Sequence, residues 1–240
     1  MAVAYNSRIV TNGLVLCLDA ANRQSYPGSG TTWTDISPNR LSGTLTNGPT
    51  FSSNNKGAIV FDGTNDHLTS TTAALPSGTD LFTFSIWIYF NSITGSFGPS
   101  ALGCVLFSGN TTGTHEFVVL TQNISSNLPY SLECGRYGGG TTGSCRADNI
   151  NMPLGRYHNI VLVRDGTSSN KIYLNGVLLV SGNVSNSFTA GTFHSGGAPA
   201  SASYSGYLNG RISNILRYNR ALSAAEIQQN FNATRGRFGV

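Results

Sequence analysis

Residues 82–90 read FTFSIWIYF. Phe82, Phe84, Ile86, Ile88 and Phe90 alternate with Thr83, Ser85, Trp87 and Tyr89, and a period of two places the first set on one face of a β-strand. Trp87 and Tyr89 make the second face largely apolar as well. A strand covered on both faces belongs at the centre of a sheet, so this stretch predicts packed layers around it.

Working outward, further strand-like runs appear at LVLCLDA (14–20), GAIVFDG (57–63), HEFVVLT (115–121) and HNIVLVRD (158–165), separated by clusters of Gly, Asn, Ser and Pro. That spacing predicts an all-β sandwich or barrel. In KIYLNGVLLV (171–180) Asn175 and Gly176 stand between two apolar runs. Asn-Gly suits a type I′ hairpin turn, whose central residues both need positive φ. One helix is predicted, at about 223–233. Ser223 serves as its N-cap, Glu226 completes a capping box, and Leu222 staples to Ile227. No tandem repeat, heptad run or Pro-rich linker interrupts the chain, so residues 1–240 are expected to form a single domain.

Only 10% of residues are charged, against about 25% in typical domains, and 29 glycines favour many turns. The 39% hydrophobic content, with 12 Phe and 10 Tyr, is enough to close a large core. The net charge is +4, and no Lys/Arg run interleaves with aromatics, so no nucleic-acid partner is expected. No apolar run reaches the ~18–20 residues of a membrane span, and MAVAYNSRIV lacks the basic start and apolar core of an export signal. Arginine outnumbers lysine 12 to 2, a bias that protein interfaces share.

The motifs offer little catalytic chemistry. FDGTNDHL (61–68) sets Asp62 and Asp66 around Gly63. Calcium wants six to eight oxygens and the stretch lacks a D-x-D-x-D-G loop, so a turn is favoured, with Asp62 and Asn65 bonding backbone amides. Glycoside hydrolysis needs two carboxyl groups ~5–9.5 Å apart. Glu116, Glu133 and Glu226 are the only glutamates, no two within ten residues, and no E-x-D-x-x-E strand exists. No G-x-S-x-G elbow accompanies His67, His115, His158 or His194. Cys17, Cys104, Cys134 and Cys145 form no CxxC pair, so no zinc site is expected, nor any cofactor. Cys17 reads as a buried strand residue. Cys134 and Cys145 bracket a Gly-rich loop across which a disulfide can form in an oxidising compartment. Sugar binding asks for an aromatic face and planar polar groups. Tyr137, His194 and Tyr204, in Gly/Ser-rich stretches, are candidates for such a platform, and loop-against-loop packing is their other reading. Sequons at Asn110, Asn123, Asn183 and Asn232 read as by-products of an Asn/Ser/Thr-rich chain.

Six segments taken together carry a family resemblance: GLVLCLDAAN (13–22), WTDISPNRLSGTLTNGPTF (33–51), IVFDGTNDHL (59–68), FTFSIWIYF (82–90), YHNIVLVRDGTSSNKIYLNG (157–176) and LNGRISNILRYNRALSAAEIQQNF (208–231). In this order they resemble the concanavalin A-like, laminin G-like jelly-roll domain, particularly the version common in bacteriophage structural proteins. The similarity covers about 13–235. It implies a two-sheet antiparallel jelly-roll sandwich of six or seven strands per sheet, one short C-terminal helix against it, and a structural role for Asp62 and Asp66. Pro38 and Tyr157 depart from the family's usual Gly and Trp, and no metal signature carries over.

The resemblance, the missing export signal, the arginine bias and a chain that begins and ends with the domain lead to one expectation. The protein is expected to be a non-enzymatic structural protein on the surface of a bacteriophage virion, either capsid-decorating or a docked accessory protein. Its partners would be other virion proteins and host surface polysaccharide, and it could oligomerise. Arg235, Arg237 and Phe238 are the residues expected to dock such a partner. A carbohydrate-binding lectin or tail adhesin is the alternative, and a glycoside hydrolase the lesser one.

Overall fold

The structure, a computed structural model, describes residues 8–71, 80–92, 102–109, 115–121, 130–137, 145–183, 192–197 and 207–240. Two antiparallel sheets carry the described strands, numbered in chain order. The first runs, edge to edge, β14 (Val177–Asn183), β13 (Ser169–Leu174), β12 (Tyr157–Arg164), β7 (Phe82–Ser92), β16 (Asn209–Tyr218), β5 (Ala58–Asp62) and β4 (Thr50–Ser52). β1 (Leu14–Asp19) continues the line of β5 along the same edge of β16. The second runs β11 (Cys145–Ile150), β10 (Tyr130–Tyr137), β9 (His115–Thr121), β8 (Leu102–Gly109), β15 (Phe193–Ser195), β6 (His67–Ser70), β3 (Gly43–Thr46) and β2 (Thr32–Trp33). Each sheet thus holds eight strands among the described residues, more than the six or seven expected. The jelly-roll sandwich itself is as predicted.

β7 sits between β12 and β16, paired along its length to both. Phe82, Phe84, Ile86, Ile88 and Phe90 are each at most 2% exposed and join Leu16, Trp33, Phe61, Leu68 and Phe193 in the inter-sheet core. Burying side chains of this size stabilises by roughly 1.5–3 kcal/mol each. The other face of β7 meets the C-terminal segment: Trp87 stacks on Phe231 and Phe238 with centroids 5.7 and 4.1 Å away. The polar residues on that face are paired. Thr83 Oγ1 donates to the Arg220 carbonyl and accepts from the Leu222 amide, fixing the approach to the helix. Ser85 Oγ accepts from Asn159 Nδ2 at 3.1 Å.

The helix, α1 (Ala224–Thr234), begins at the predicted cap, with both halves of the capping box formed. Leu222 and Ile227 are buried together against Val161 and Tyr218 of the first sheet. On its inner face Asn230 accepts from the Val10 amide and donates to Tyr218 Oη, tying the N-terminal segment between helix and sheet. The β13–β14 turn is also as predicted, with φ of +52° at Asn175 and +81° at Gly176. A Cβ at Gly176 would lie 2.9 Å from Gln228 Oε1 and 3.1 Å from the Phe231 ring, so the hairpin tip needs glycine for contact as well as for dihedral.

Cys17 is a buried strand residue as read, its thiol pushed up to about 12 by burial and the nearby Asp19 and Asp35. Cys134 and Cys145 are direct cross-strand partners on β10 and β11, and both are free thiols rather than a bridge. Cys145 Sγ donates to the Asn170 carbonyl, and burial pushes its thiol up to about 11.

Candidate functional site

The FDGTNDHL stretch forms the corner between β5 and β6. Gly63 takes φ +82°, and Asp62 Oδ1 accepts from the Thr64 amide at 2.7 Å, as expected of a turn acid. The second amide bond is not made by Asn65. Asp66 Oδ2 accepts from the Asp62 amide instead, while Asn65 offers only its carbonyl, to Asn47 Nδ2 and His67 Nδ1. Asp66 is 3% exposed and its Oδ1 is buried without a partner, so burial raises its pKa above the ordinary carboxylate range.

Six other acids among the described residues are engaged within the chain. Asp35, fully buried, accepts from the amides of Cys17, Ser37 and Leu41 and from Ser37 Oγ. Glu226 is held down to about 2 by Arg220 and the Ser223 amide. Arg146 pairs with both Glu133 and Asp148, Lys171 with Asp165, and Arg237 with Asp19. Among the described residues no group of three or more His, Cys, Asp or Glu is gathered to hold a metal ion.

His194 lies on strand β15, not in a loop. Phe193 before it is fully buried in the core, so His194 points to the outer face of the second sheet, opposite Thr69. Thr69 Oγ1 lies 2.9 Å from its Nδ1, and the His67 ring is 6.3 Å away. With 7% exposure the imidazole is a sealed group rather than an open platform, and burial beside His67 lowers its pKa to about 4. Tyr137 ends strand β10, and its side chain and the whole of Tyr204 lie outside the described residues.

The three C-terminal candidates divide. Arg237 Nε donates to the Asn55 carbonyl at 2.7 Å, one terminal nitrogen pairs with Asp19 Oδ1 at 2.7 Å, and the other donates to the Gly57 carbonyl and Ser213 Oγ at 2.6 and 2.5 Å. Phe238, 6% exposed, is inserted between Trp87 and Tyr157. Both are committed within the chain, which corrects their reading as partner contacts. Arg235 stays at the surface, its guanidinium 6.0 Å from the Phe231 ring.

The same tail walls a polar cleft of about 370 Å³, bounded also by the approach to β12 and the β13–β14 turn. His158 lines it at 2% exposure. Its Nε2 donates to the Pro153 carbonyl at 2.9 Å, which leaves Nδ1 as a bare acceptor, buried and unpartnered. Burial lowers the pKa of this ring too. Asn175 Oδ1 accepts from the Asn159 amide at 2.9 Å, so the carboxamide is fixed with its NH2 free. Asn151 and Arg156 are exposed on the rim and make no hydrogen bond or ion pair among the described residues. The cleft therefore offers carboxamide and guanidinium donors, a set that complements hydroxyl groups, while His158 Nδ1 is buried out of a ligand's reach. None of these residues stood out in the sequence as ligand-binding, since three separated segments build the cleft.

The family described as the concanavalin A-like lectin/glucanases superfamily matches residues 62–228. Domain 4 of AbnA, an extracellular GH43 arabinanase from Geobacillus stearothermophilus solved with arabinotriose, superposes with a TM-score of 0.66 at 16% identity, covering 92% of this chain and 99% of that one. A Trypanosoma rangeli sialidase variant with trans-sialidase activity gives 0.69 at 17%, over 96% of this chain and 34% of the enzyme. The binding domain of botulinum neurotoxin serotype D gives 0.65 at 12%, over 92% of this chain and 51% of that one. The likeness to these three is one of fold. No curated protein sequence matches this chain.

Proposed function

The chain belongs to the concanavalin A-like lectin/glucanase superfamily, and we propose that it is a non-enzymatic structural protein on the surface of a bacteriophage virion that contacts host glycans through the cleft at the start of β12. The observation that carries the glycan contact is the gathering of the exposed Asn151 and Arg156 side chains and the free Asn175 carboxamide NH2 in one polar cleft. Each of these donors that meets a sugar hydroxyl contributes roughly 0.5–1.5 kcal/mol net. The engagement of Glu133, Asp148, Asp165 and Glu226 in ion pairs supports the non-enzymatic part, because a general acid must be free to give up its proton. The ratio of 12 arginines to 2 lysines supports assembly with other proteins.

The test has two arms. Purified phage particles analysed by mass spectrometry should contain the chain in stoichiometric amount. On a glycan array the protein should bind polysaccharide, and Arg156→Ala together with Asn151→Ala should weaken that binding by about tenfold or more, at about 1 kcal/mol or more per lost contact. Absence from particles removes the virion role, and array binding then favours a free lectin or adhesin. A blank array removes the glycan role.

A further inference from the structure

A second cavity, of about 160 Å³, opens beside the end of β1, far in sequence from the cleft. Tyr26 and Phe51 form its apolar wall, with ring centroids 5.7 Å apart, and Tyr26 Oη is fixed by donating to the Gly30 carbonyl. Arg23 and Lys56 line it as well. Both are exposed, and neither makes an ion pair or hydrogen bond among the described residues. Two free cations over an apolar wall, with no acid lining the cavity, ask for an anion that carries an apolar face.

The backbone adds an independent observation. Asn55, Lys56 and Gly57 take φ of +51°, +67° and +141° in succession. Asn and Gly adopt such conformations readily, but a lysine is strained there. The strained turn is held from outside: Arg237 donates to the carbonyls of Asn55 and Gly57, and Asn55 Nδ2 donates to the Arg237 carbonyl. One of only two lysines in an arginine-rich chain thus occupies a position whose geometry favours Asn or Gly. Local rules broken in this way mark functional positions, and here the ammonium is what the position gains.

We propose that this cavity recognises the terminal carboxylated sugar of an acidic glycan, with Lys56 and Arg23 holding the carboxylate and the Tyr26–Phe51 wall holding the ring. The volume is below the ~300–1,000 Å³ of drug-sized pockets, so one terminal unit enters and a chain does not. The proposal rests on the carbohydrate reading for the class of ligand and places it at a different site from the cleft.

The experiment is an NMR titration of the whole chain at low salt with glucuronate, glucose and acetate. Glucuronate is expected to shift resonances around Tyr26 and Phe51, glucose not to, and acetate to bind at least about tenfold more weakly. Arg23→Gln and Lys56→Asn should each weaken glucuronate binding by about tenfold or more, the loss of one charge-assisted hydrogen bond. Lys56→Asn should melt no lower than the parent, because asparagine relieves the left-handed strain; this separates lost recognition from lost folding. Unchanged glucuronate affinity in both variants overturns the proposal, and acetate equal to glucuronate reduces the site to a nonspecific anion patch. Array binding that persists without any glucuronate binding overturns this site alone, whereas a blank array with no glucuronate binding overturns the carbohydrate reading with it.

Discussion

Arg237→Ala should be the most damaging single change outside the core. The guanidinium pairs with Asp19 at 2.7 Å, the two side chains being 12% and 27% exposed, and it donates to two carbonyls and one hydroxyl besides. Breaking a fully buried pair costs about 3–5 kcal/mol. Partial exposure of Asp19 reduces that figure, and the Gly57 carbonyl keeps its bond from Ser213 Oγ, while the lost bonds at the Asn55 carbonyl and the Ser213 hydroxyl add about 1 kcal/mol each where water cannot reach them. The balance is on the order of 3 kcal/mol. Urea unfolding followed by tryptophan fluorescence should show the midpoint falling by about 1 M or more at unchanged m, for an m of about 2–3 kcal/mol/M. Arg237→Lys should recover roughly half of the loss, because an ammonium keeps the charge but cannot fork between Asp19 and the carbonyls. A double-mutant cycle with Asp19→Asn should return a coupling of about 1–2 kcal/mol. A loss below about 0.5 kcal/mol in Arg237→Ala would mean that the tail is frayed in solution, and the whole account of how it closes the sheet would fall.

Three further outcomes follow from the same geometry. His194 has a folded pKa of about 4 against about 6.5 unfolded, so below pH 6.5 the unfolded chain takes up the proton first. Stability should therefore fall by up to ~1.4 kcal/mol per pH unit between pH 6.5 and 4, on the order of 3 kcal/mol in all; His194→Gln should flatten that part of a stability-against-pH curve, and parallel curves would refute the assignment. Asp66→Asn should raise the urea midpoint at pH 7 by the equivalent of about 1 kcal/mol, since it removes a buried charge with an unpartnered oxygen, and a lowered midpoint would show that the charge is needed. Ser223→Ala should cost about 1 kcal/mol in the same assay by removing the N-cap bond to Glu226, and no loss would mean that packing alone fixes where the helix starts.

What the sequence made legible was local. The period of FTFSIWIYF, the Asn-Gly turn and the Ser223–Glu226 capping box each lie within about ten residues, and each appears as read. The extra strands escaped because β2, β4 and β15 are only two or three residues long, too short to show a period. They exist because neighbouring strands offer them an open edge. His194 was misplaced for that reason: three residues of β15 amid Gly and Ser look like a loop until Ser70 Oγ accepts the Phe193 amide. The cleft and the Arg237 cluster escaped because their members are distant in sequence, Asp19 and Arg237 by 218 positions. The terminal mixture of arginine and aromatic marks a contact, but composition alone does not say whether its partner is another protein or this one.

The tail also bears on the two proposed sites, walling one and bracing the turn beside the other. Sheet packing needs only one face of the first sheet, and α1 covers part of the other, against Val161 and Tyr218. Trp87, Tyr157 and Ala58 remain, and Phe231 in the last turns of the helix and Phe238 beyond it close over them. A short segment laid on a flat sheet cannot fill its margins. On one side of Phe238 the gap is the Arg156–His158 cleft, walled by Gly239 and Val240. Arg237, the residue before Phe238, donates to the carbonyls on both sides of Lys56, which lines the Tyr26 cavity. The cleft is thus a by-product of covering a sheet with a segment too narrow for it, whereas the Tyr26 cavity has no tail residue in its lining and meets the tail only through the Asn55–Gly57 turn that Arg237 holds. A tail that locks the fold thus shapes one site directly and braces the backbone beside the other.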